Sequence, residues 1–200
     1  MLEVRKASVD EFDAVLDFYM QVVDEMQGTE FDIQWRRGGH PSPVFLRESV
    51  EAGQMYIGVE SGETDEASAD AATALADAPT ALVSAADPVI ACAMVVNHEG
   101  APGYASVDWA ADVPDEVVGV LHVVATSPAF RGRGYGRQLI LDAIELARAE
   151  GLAVLRLDTF PYNTRGRRLY ESCGFTDKGT WTVNYPDMGD IQVEMYELVL

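Results

Sequence analysis

The chain has 200 residues, 48% of them hydrophobic, which predicts a single domain over residues 1–200 with a substantial core. Its 33 acidic residues outnumber its 14 lysines and arginines, so the formal net charge is −19 at pH 7. A surface of this charge repels nucleic acid and anionic membranes, and we therefore expect neither as a partner.

The cysteines and the N-terminal residues point to a cytoplasmic protein. Cys92 and Cys173 are the only cysteines, and they lack the Cys-x-x-Cys spacing or the cysteine and histidine grouping of a zinc site. The N-terminus has no apolar signal core, and no apolar run is long enough to span a bilayer. We expect reduced thiols, no metal and a cytoplasmic location.

Hydrophobic periodicity predicts strands and helices in the first half of the chain. Ser8 and Glu11 have the spacing of a capping box at a helix start, and Ser42 is a candidate cap for a second helix. The predicted elements are a strand over 2–7, helices over 8–27 and 44–52, and strands over 54–60 and 88–97.

Residues 61–87 form an unusual connection between the last two of these strands. The segment consists mostly of Ala, Asp, Glu, Ser and Thr, without a steady period and almost without large apolar residues. We predict a flexible acidic insertion in a hairpin loop, with a functional lid as the alternative.

The second half of the chain alternates strands and helices around a glycine-rich turn. A strand ends near Thr126, where Pro128 favours a change of direction. The predicted elements are strands over 117–126 and 152–159, helices over 137–150 and 163–173, and terminal strands over 175–184 and 191–200.

The turn over residues 131–137 is a candidate phosphate site. Three glycines within five residues let the backbone approach a ligand closely, and the following helix offers free amides and its positive dipole end. Six of the 14 basic residues lie in this turn or in residues 165–168. A glycine-rich turn that merely starts a helix is the alternative.

A dinucleotide-binding turn, and thus a nicotinamide-dependent oxidoreductase, is the first competing interpretation. Gly132 and Gly134 have the required spacing, and Asp158 follows at about the distance of a ribose-binding acid. Arg137, however, stands where the third glycine belongs, and the segment 126–130 separates the strand from the first glycine in place of a tight turn.

Four segments in order resemble the GNAT superfamily of acyl-CoA-dependent N-acyltransferases. They are Leu-His-Val-Val-Ala-Thr-Ser-Pro-Ala-Phe at 121–130, Arg131-x-x-Gly134-x-Gly136, Leu-Arg-Leu-Asp-Thr at 155–159 followed by Asn163, and Leu-Tyr-Glu-Ser-Cys-Gly-Phe at 169–175. The resemblance implies an α/β fold with a mixed, mostly antiparallel central sheet and helices on both faces. It also implies acetyl transfer from acetyl-CoA to a primary amine of a small molecule or peptide.

The resemblance further implies where acetyl-CoA binds. The pyrophosphate would lie on the amides of the turn, and the pantetheine arm would run like an added strand beside the end of the preceding strand. Asn163 would contact the arm and also cap its helix. The implied cofactor-binding residues are Val124, Ala125, Thr126, Arg131, Gly132, Arg133, Gly134, Tyr135, Gly136 and Asn163.

Three residues are candidates for proton transfer. Tyr170 matches the family tyrosine that protonates the departing coenzyme A sulfur, although a helical tyrosine with a satisfied hydroxyl is the ordinary alternative. Asp158, ahead of His122, is the candidate base, and either residue could instead be structural. His40 and His98 are expected at the surface.

The acceptor is expected at the connection between the first two helices, which commonly borders the acceptor pocket in such enzymes. Glu30, Asp32 and Trp35 lie there, and an acidic mouth would attract cationic amines unless the acidity serves only solubility. A non-catalytic acyl-CoA sensor is the other competing interpretation, and a homodimer is an open alternative to a monomer.

Overall fold

The computed structural model describes residues 1–30, 32–60, 88–185 and 189–200, so the predicted insertion at 61–87 lies outside the described residues. The strands are β1 (Leu2–Lys6), β2 (Met55–Glu60), β3 (Ile90–Asn97), β4 (Val118–Thr126), β5 (Val154–Thr159), β6 (Thr176–Tyr185) and β7 (Gly189–Val199). The helices are α1 (Phe12–Met26), α2 (Pro43–Glu51), α3 (Tyr135–Ala149) and α4 (Thr164–Ser172).

The seven strands form one sheet in the order β1-β2-β3-β4-β5-β7-β6. Only β4 and β5 pair in parallel within the described part of the chain, and the other neighbours are antiparallel. This confirms the predicted mixed, mostly antiparallel sheet. The parallel pair requires a crossover, and α3 provides it.

Helices α1 and α2 cover one face of the sheet. Their buried side chains, such as Val15, Tyr19 and Leu46, pack on Ile57 and Val95. The Ser8 amide donates to Glu11 Oε2 at 2.8 Å, as the capping-box pattern predicts, after which a 3₁₀ turn leads into α1. Hydrogen bonds from Arg5 are the main cause that lowers the pKa of Glu11 to about 2.

Helices α3 and α4 cover the opposite face. Leu139, Ile140 and Ile144 of α3 pack against Leu155 and Leu157 of β5 in a second core. The prediction of helices on both faces is therefore confirmed. Helix α3 begins at Tyr135, two residues earlier than predicted, because the glycine-rich turn itself makes the first helical turn.

The connection between β3 and β4 covers a third apolar cluster. Tyr104 and Val107 of this connection pack with Val118, Val183 and Met195. The sequence pattern predicts only a turn in this connection, because its few apolar residues show no helical or strand period.

A buried ion pair fixes this connection to the sheet. The Arg156 guanidinium lies 3.2 Å from the Glu197 carboxylate and donates to the Ala111 carbonyl, while the Ala110 amide donates to Glu197. The Arg156 and Glu197 side chains are 9% and 2% exposed, so each charge depends on the other for compensation.

No helix in the described ranges is both long and apolar enough to cross a membrane.

We predict that Arg156→Leu destabilises the protein by about 3–5 kcal/mol, because it leaves the Glu197 carboxylate buried without its cation. Urea unfolding at pH 7 measures this loss. Arg148→Ala, which removes an exposed pair with Glu145, is the control and should cost less than about 0.5 kcal/mol. A loss below about 1 kcal/mol in Arg156→Leu would show that the pair does not hold the connection.

Candidate active site

A cavity of about 480 Å³ opens where β4 and β5 end. Its walls come from α1, the connection between α1 and α2, the end of β4, the turn before α3 and the first turns of α4. All the predicted cofactor-binding residues except Arg133 line it, as do Glu30, Asp32, Trp35 and Tyr170. The other two predicted catalytic residues, Asp158 and His122, are outside the lining.

The cavity reaches the sheet because β4 and β5 separate towards their C-terminal ends. Their last registered pair is Leu121 with Leu157, although β4 continues to Thr126 and β5 to Thr159. The end of β4 therefore has no strand partner on its β5 side among the described residues, and Val124, Ala125 and Thr126 face the cavity there. Such an unpaired strand edge can accept an extended ligand through main-chain hydrogen bonds.

A β-bulge in β4 causes this separation. Ala93 pairs with Ala125 and Val95 pairs with His122, so two residues of β4 face one residue of β3. Within the bulge Val123 has φ +47°, a left-handed conformation that a β-branched residue rarely adopts and that costs about 1–3 kcal/mol. The buried Tyr19 hydroxyl donates to the Val123 carbonyl at 2.9 Å and stabilises the bulge.

The turn before α3 presents a row of free amides to the cavity. Gly132 and Gly134 both have positive φ, 79° and 81°, and Gly134 is the N-cap of α3. None of the described residues accepts a hydrogen bond from the main-chain amides of residues 132–137. Six consecutive unpaired amides at the positive end of a helix are suited to bind phosphate oxygens.

Gly136 lets this turn approach the open edge of β4. A Cβ atom at Gly136 would meet the Thr126 hydroxyl at 3.0 Å and Leu169 at 3.6 Å. A side chain at residue 136 would therefore crowd Thr126, and glycine lets the first turn of α3 lie close to the end of β4.

Arginines add positive charge to the rim, although not all of those predicted. Arg131, Arg137 and Arg165 line the cavity. The predicted Arg133 turns away, and its guanidinium lies 3.0 Å from the Glu60 carboxylate. Tyr135 also donates to Glu60, at 2.5 Å. The structure thus links one side of the turn to β2, while the glycines 132, 134 and 136 line the cavity.

Helix α4 begins at Thr164, and Asn163 is its N-cap. The Asn163 Oδ1 atom accepts from the Gly166 amide at 3.1 Å, and its Nδ2 atom donates to the Thr159 hydroxyl at 2.9 Å. A Cβ atom at Gly166 would lie 2.4 Å from that Nδ2 atom. This local geometry fixes Asn163 against the end of β5, with Asn163 in the cavity wall.

Tyr170 lies in α4, is buried and is one of the residues that line the cavity. Its ring packs edge-on against Phe175 and lies 6.0 Å from the Tyr196 ring. Burial, and after it the charge of Asp158, raises the pKa of the Tyr170 hydroxyl, which stays protonated at neutral pH.

Asp158 lies late in β5, on the other face of the sheet from the α3 and α4 core. Its Oδ1 atom accepts from the Tyr104 hydroxyl at 3.0 Å. Sequence reasoning did not find Tyr104 as a partner, because it lies 54 residues away in a connection without a motif.

His122 lies inside the bulged strand and is also held by protein groups. Its Nε2 atom is 2.9 Å from Asn97 Oδ1, and its ring lies 6.2 Å from that of Phe45. Burial lowers the pKa of His122 to about 4, so the ring is neutral at pH 7 and a weak base. His40 and His98 are exposed, as the sequence predicts.

The acidic residues predicted for the acceptor are bound to neighbours in this structure. Asp32 accepts from the Gly28 and Gln34 amides and from Arg36, and these contacts lower its pKa. Glu30 forms an exposed pair with Arg165 at 3.2 Å. The described lining thus contains two carboxylates and three arginines and is not acidic itself.

Trp35 and α1 give the far end of the cavity an apolar wall. The Trp35 ring is buried against Tyr19 at 6.2 Å, beside Val22, Met26 and Ile33. The sequence does not identify these residues of α1, because a helical hydrophobic period predicts a buried face but not which part of that face borders a cavity.

Tyr162 was missed as well, and it belongs to two cavities. It lines the first and also a neighbouring cavity of about 580 Å³, which includes Gln34, Ile191 and Gln192. Its ring is stacked on that of Phe160, with 5.1 Å between centroids.

Both thiols are buried and poorly reactive. Burial raises the pKa of Cys92 to about 12 and also raises that of Cys173. The described residues contain no group of three His, Cys, Asp or Glu side chains that could hold a metal ion.

Comparison with protein families gives one clear match. Residues 44–175 match the family described as the acetyltransferase (GNAT) family. Among curated proteins, a mycothiol acetyltransferase from Beutenbergia cavernae is 41% identical over 64 residues, which is 32% of this chain and 22% of the relative. The chain spans only about a fifth of the length of the mycothiol acetyltransferases that it matches.

A shorter relative and two solved structures extend the comparison. The [ribosomal protein bS18]-alanine N-acetyltransferase of Haemophilus ducreyi is 36% identical over 67 residues, 34% of this chain and 46% of that protein. A GNAT-family acetyltransferase structure from Streptococcus agalactiae has a TM-score of 0.71 at 19% identity, covering 100% of this chain and 95% of that one. A protein from Salmonella typhimurium, solved with its cofactor acetyl-CoA, has a TM-score of 0.61 at 17% identity and coverages of 100% and 94%. At these identities the two structures show a shared fold.

We predict that His122 makes stability depend on pH. The ring titrates near 6.5 in the unfolded chain but near 4 when folded, so its stabilising contribution is full above pH 6.5 and is lost as the pH falls towards 4. Between pH 7 and pH 4 the free energy of unfolding should fall by about 2–3 kcal/mol more in the wild type than in His122→Gln. If the free energies of unfolding of the wild type and His122→Gln changed with pH in parallel, this would contradict a buried, neutral His122 ring.

Proposed function

We infer that this chain, which belongs to the acetyltransferase (GNAT) family, transfers an acetyl group from acetyl-CoA to a primary amine. One observation carries this proposal above the others. The unpaired amides of residues 132–137 and the open edge of β4 border one cavity, as a ligand with a diphosphate and an extended amide arm requires.

The residues present fit acetyl-CoA. The turn amides and the Arg131 side chain would hold the diphosphate, whose negative charge suits a helix N-terminus in an otherwise acidic protein. Residues 124–126 would hold the pantetheine arm by main-chain hydrogen bonds, with Asn163 on its other side. Acetyl-CoA brings an activated acyl group, so the protein has to position it and move protons.

Tyr170 is the proposed general acid. Tyr170 lines the cavity and its hydroxyl is protonated at neutral pH, so we assign to it the donation of a proton to the departing thiolate. The charge of Asp158 helps to keep this proton in place.

We place Asp158 ahead of His122 as the base that takes the proton of the attacking amine. His122 is a weak base with a pKa of about 4, and its Nε2 atom is bound to Asn97. Neither residue lines the cavity, so a water molecule would link the amine to the base.

The acceptor would enter beside Tyr162, where the cavity meets its neighbour. The names of two relatives give mycothiol and an alanine of a ribosomal protein, and they support both small-molecule and protein acceptors as candidates. Trp35 would bound the acceptor side, with Glu30 and Asp32 on the rim. Release of free thiol from acetyl-CoA, dependent on an added amine, tests the activity and separates an enzyme from a non-catalytic acyl-CoA sensor.

We predict that Gly136→Val abolishes the rise in melting temperature caused by acetyl-CoA. The added side chain would lie against Thr126 and fill the space between the turn and β4. Ala149→Val, in the exposed last turn of the same helix, is the matched control and should keep the full shift. The test requires that Gly136→Val without ligand melts at the wild-type temperature. If acetyl-CoA then raised its melting temperature as much as that of the wild type, binding at this turn would be excluded.

We also predict that Tyr170→Phe lowers kcat by about a hundredfold or more and leaves the Kd for acetyl-CoA nearly unchanged. The phenyl ring keeps its packing against Phe175, and only the proton donor is lost. Tyr196→Phe is the control, since its hydroxyl bonds to Arg167 and Glu171 and it is not in the cavity lining. Unchanged single-turnover rates in Tyr170→Phe would remove the assignment.

A further inference from the structure

Tyr104 forms a contact with the end of β5 that neither the family motifs nor the cavity lining includes. It lies in the connection between β3 and β4, is 9% exposed, and donates its hydroxyl hydrogen to Asp158 Oδ1 at 3.0 Å. A hydrogen bond to a carboxylate is charge-assisted and is stronger than one between neutral groups.

Several contacts hold Tyr104 in position. The Trp109 indole donates to the Tyr104 carbonyl at 2.8 Å, and the two rings lie 5.3 Å apart. On the other side Gly100 is close, since a Cβ atom there would lie 2.4 Å from the Tyr104 ring. The hydroxyl is therefore held at a fixed place over β5.

The same cluster is anchored to the sheet by the buried ion pair. The Arg156 guanidinium lies 4.3 Å from the Trp109 ring centroid and is bound to Glu197. Arg156 precedes Asp158 by two residues and points to the same face of β5. The connection thus ends in a rigid contact with the strand that carries the proposed base.

Titratable groups on several neighbouring elements surround Asp158. Tyr104 comes from the β3–β4 connection, Tyr170 from α4, and Arg156 with its partner Glu197 from β5 and β7. On β7 the residue opposite Asp158 is the uncharged Met195. On β4, His122 directly follows Leu121, which is the last residue paired with β5, and its ring is neutral at pH 7.

We propose that Tyr104 is a positioning residue for acetyl transfer, whose hydroxyl orients the Asp158 carboxylate and stabilises its ionised form. The proposal rests on the function inferred above, with Asp158 as the base. Tyr104 itself touches neither substrate.

The amine nitrogen forms a bond to the thioester carbonyl carbon, and the carbon–sulfur bond breaks. Asp158 receives one proton from the amine through water, and Tyr170 gives one proton to the thiolate. The protonated Asp158 and the ionised Tyr170 are then restored by exchange with solvent, and no other reactant is needed.

Removal of the Tyr104 hydroxyl should affect the reaction only through Asp158. Without this donor the ionised carboxylate loses a stabilising hydrogen bond, so the carboxyl group binds a proton at higher pH. One of its oxygen atoms is also freed to rotate away from the proton path. Binding of acetyl-CoA does not involve Asp158 and should not change.

Tyr104→Phe tests the proposal through the pH profile of kcat/KM for the amine. The acidic limb should move up by about one pH unit, while the KM for acetyl-CoA stays within about twofold of the wild type. Tyr56→Phe is the matched control, because it removes a tyrosine hydroxyl that bonds to Glu150 at 3.4 Å, outside the cavity lining. Its profile should match the wild type.

A double-mutant cycle separates positioning from a general loss of structure. In an Asp158→Asn background, Tyr104→Phe should cause no further fall in kcat/KM, whereas independent effects would add. An unshifted acidic limb, or full additivity in the cycle, would overturn the proposal. Absence of amine-dependent thiol release from the wild type would instead overturn the proposed function.

Urea unfolding gives a readout that does not depend on activity. The destabilisation caused by Tyr104→Phe should be largest near pH 7 and shrink on acidification as Asp158 becomes protonated in both proteins. In the Asp158→Asn background the cost should not vary with pH. If Tyr104→Phe lowered the free energy of unfolding by the same amount from pH 7 to pH 3 in the protein that retains Asp158, Tyr104 would not stabilise the ionised form of Asp158.

Discussion

The bulge in β4 is the constraint on which the site depends. It places Val123 in a left-handed conformation and turns the end of β4 away from β5, so that the parallel pairing stops at Leu121 and Leu157. A buried residue would not keep this strained conformation without compensation, and the Tyr19 hydroxyl and the α1 core supply it. The gap between the two strands is thus stabilised from the face opposite α3.

Three parts of the chain then meet at this gap. The turn before α3 brings amides without an acceptor among the described residues, the start of α4 brings Asn163 and Tyr170, and the end of β4 brings residues 124–126. The net charge of −19 gives this arrangement an electrostatic contrast, because arginines at 131, 137 and 165 line the cavity of an acidic protein. The N-terminus of α3 beside these arginines is therefore a favourable place for an anionic ligand.

The fold followed closely from the sequence, since alternating strands, amphipathic helices and cap residues such as Ser8 and Ser42 are local signals. The glycine-rich turn and α4 also carry local motifs, and their residues proved to line the cavity. Contacts between distant segments could not be predicted in this way. The bond of Tyr104 to Asp158, the pairing of Arg133 with Glu60 and the contribution of α1 all depend on how the sheet brings separate segments together. The separation of Asp158 and His122 from the cavity lining is likewise a property of strand register and bulge position.

Hydrogen–deuterium exchange of residues 131–137, with and without acetyl-CoA, tests most directly whether the turn before α3 binds the diphosphate. The amides of residues 132–137 have no acceptor among the described residues, so they should exchange rapidly in the free protein. Saturating acetyl-CoA should slow their exchange strongly, while the edge strand β6 should exchange as before. Unchanged exchange in residues 131–137 at saturating acetyl-CoA would contradict binding at this site.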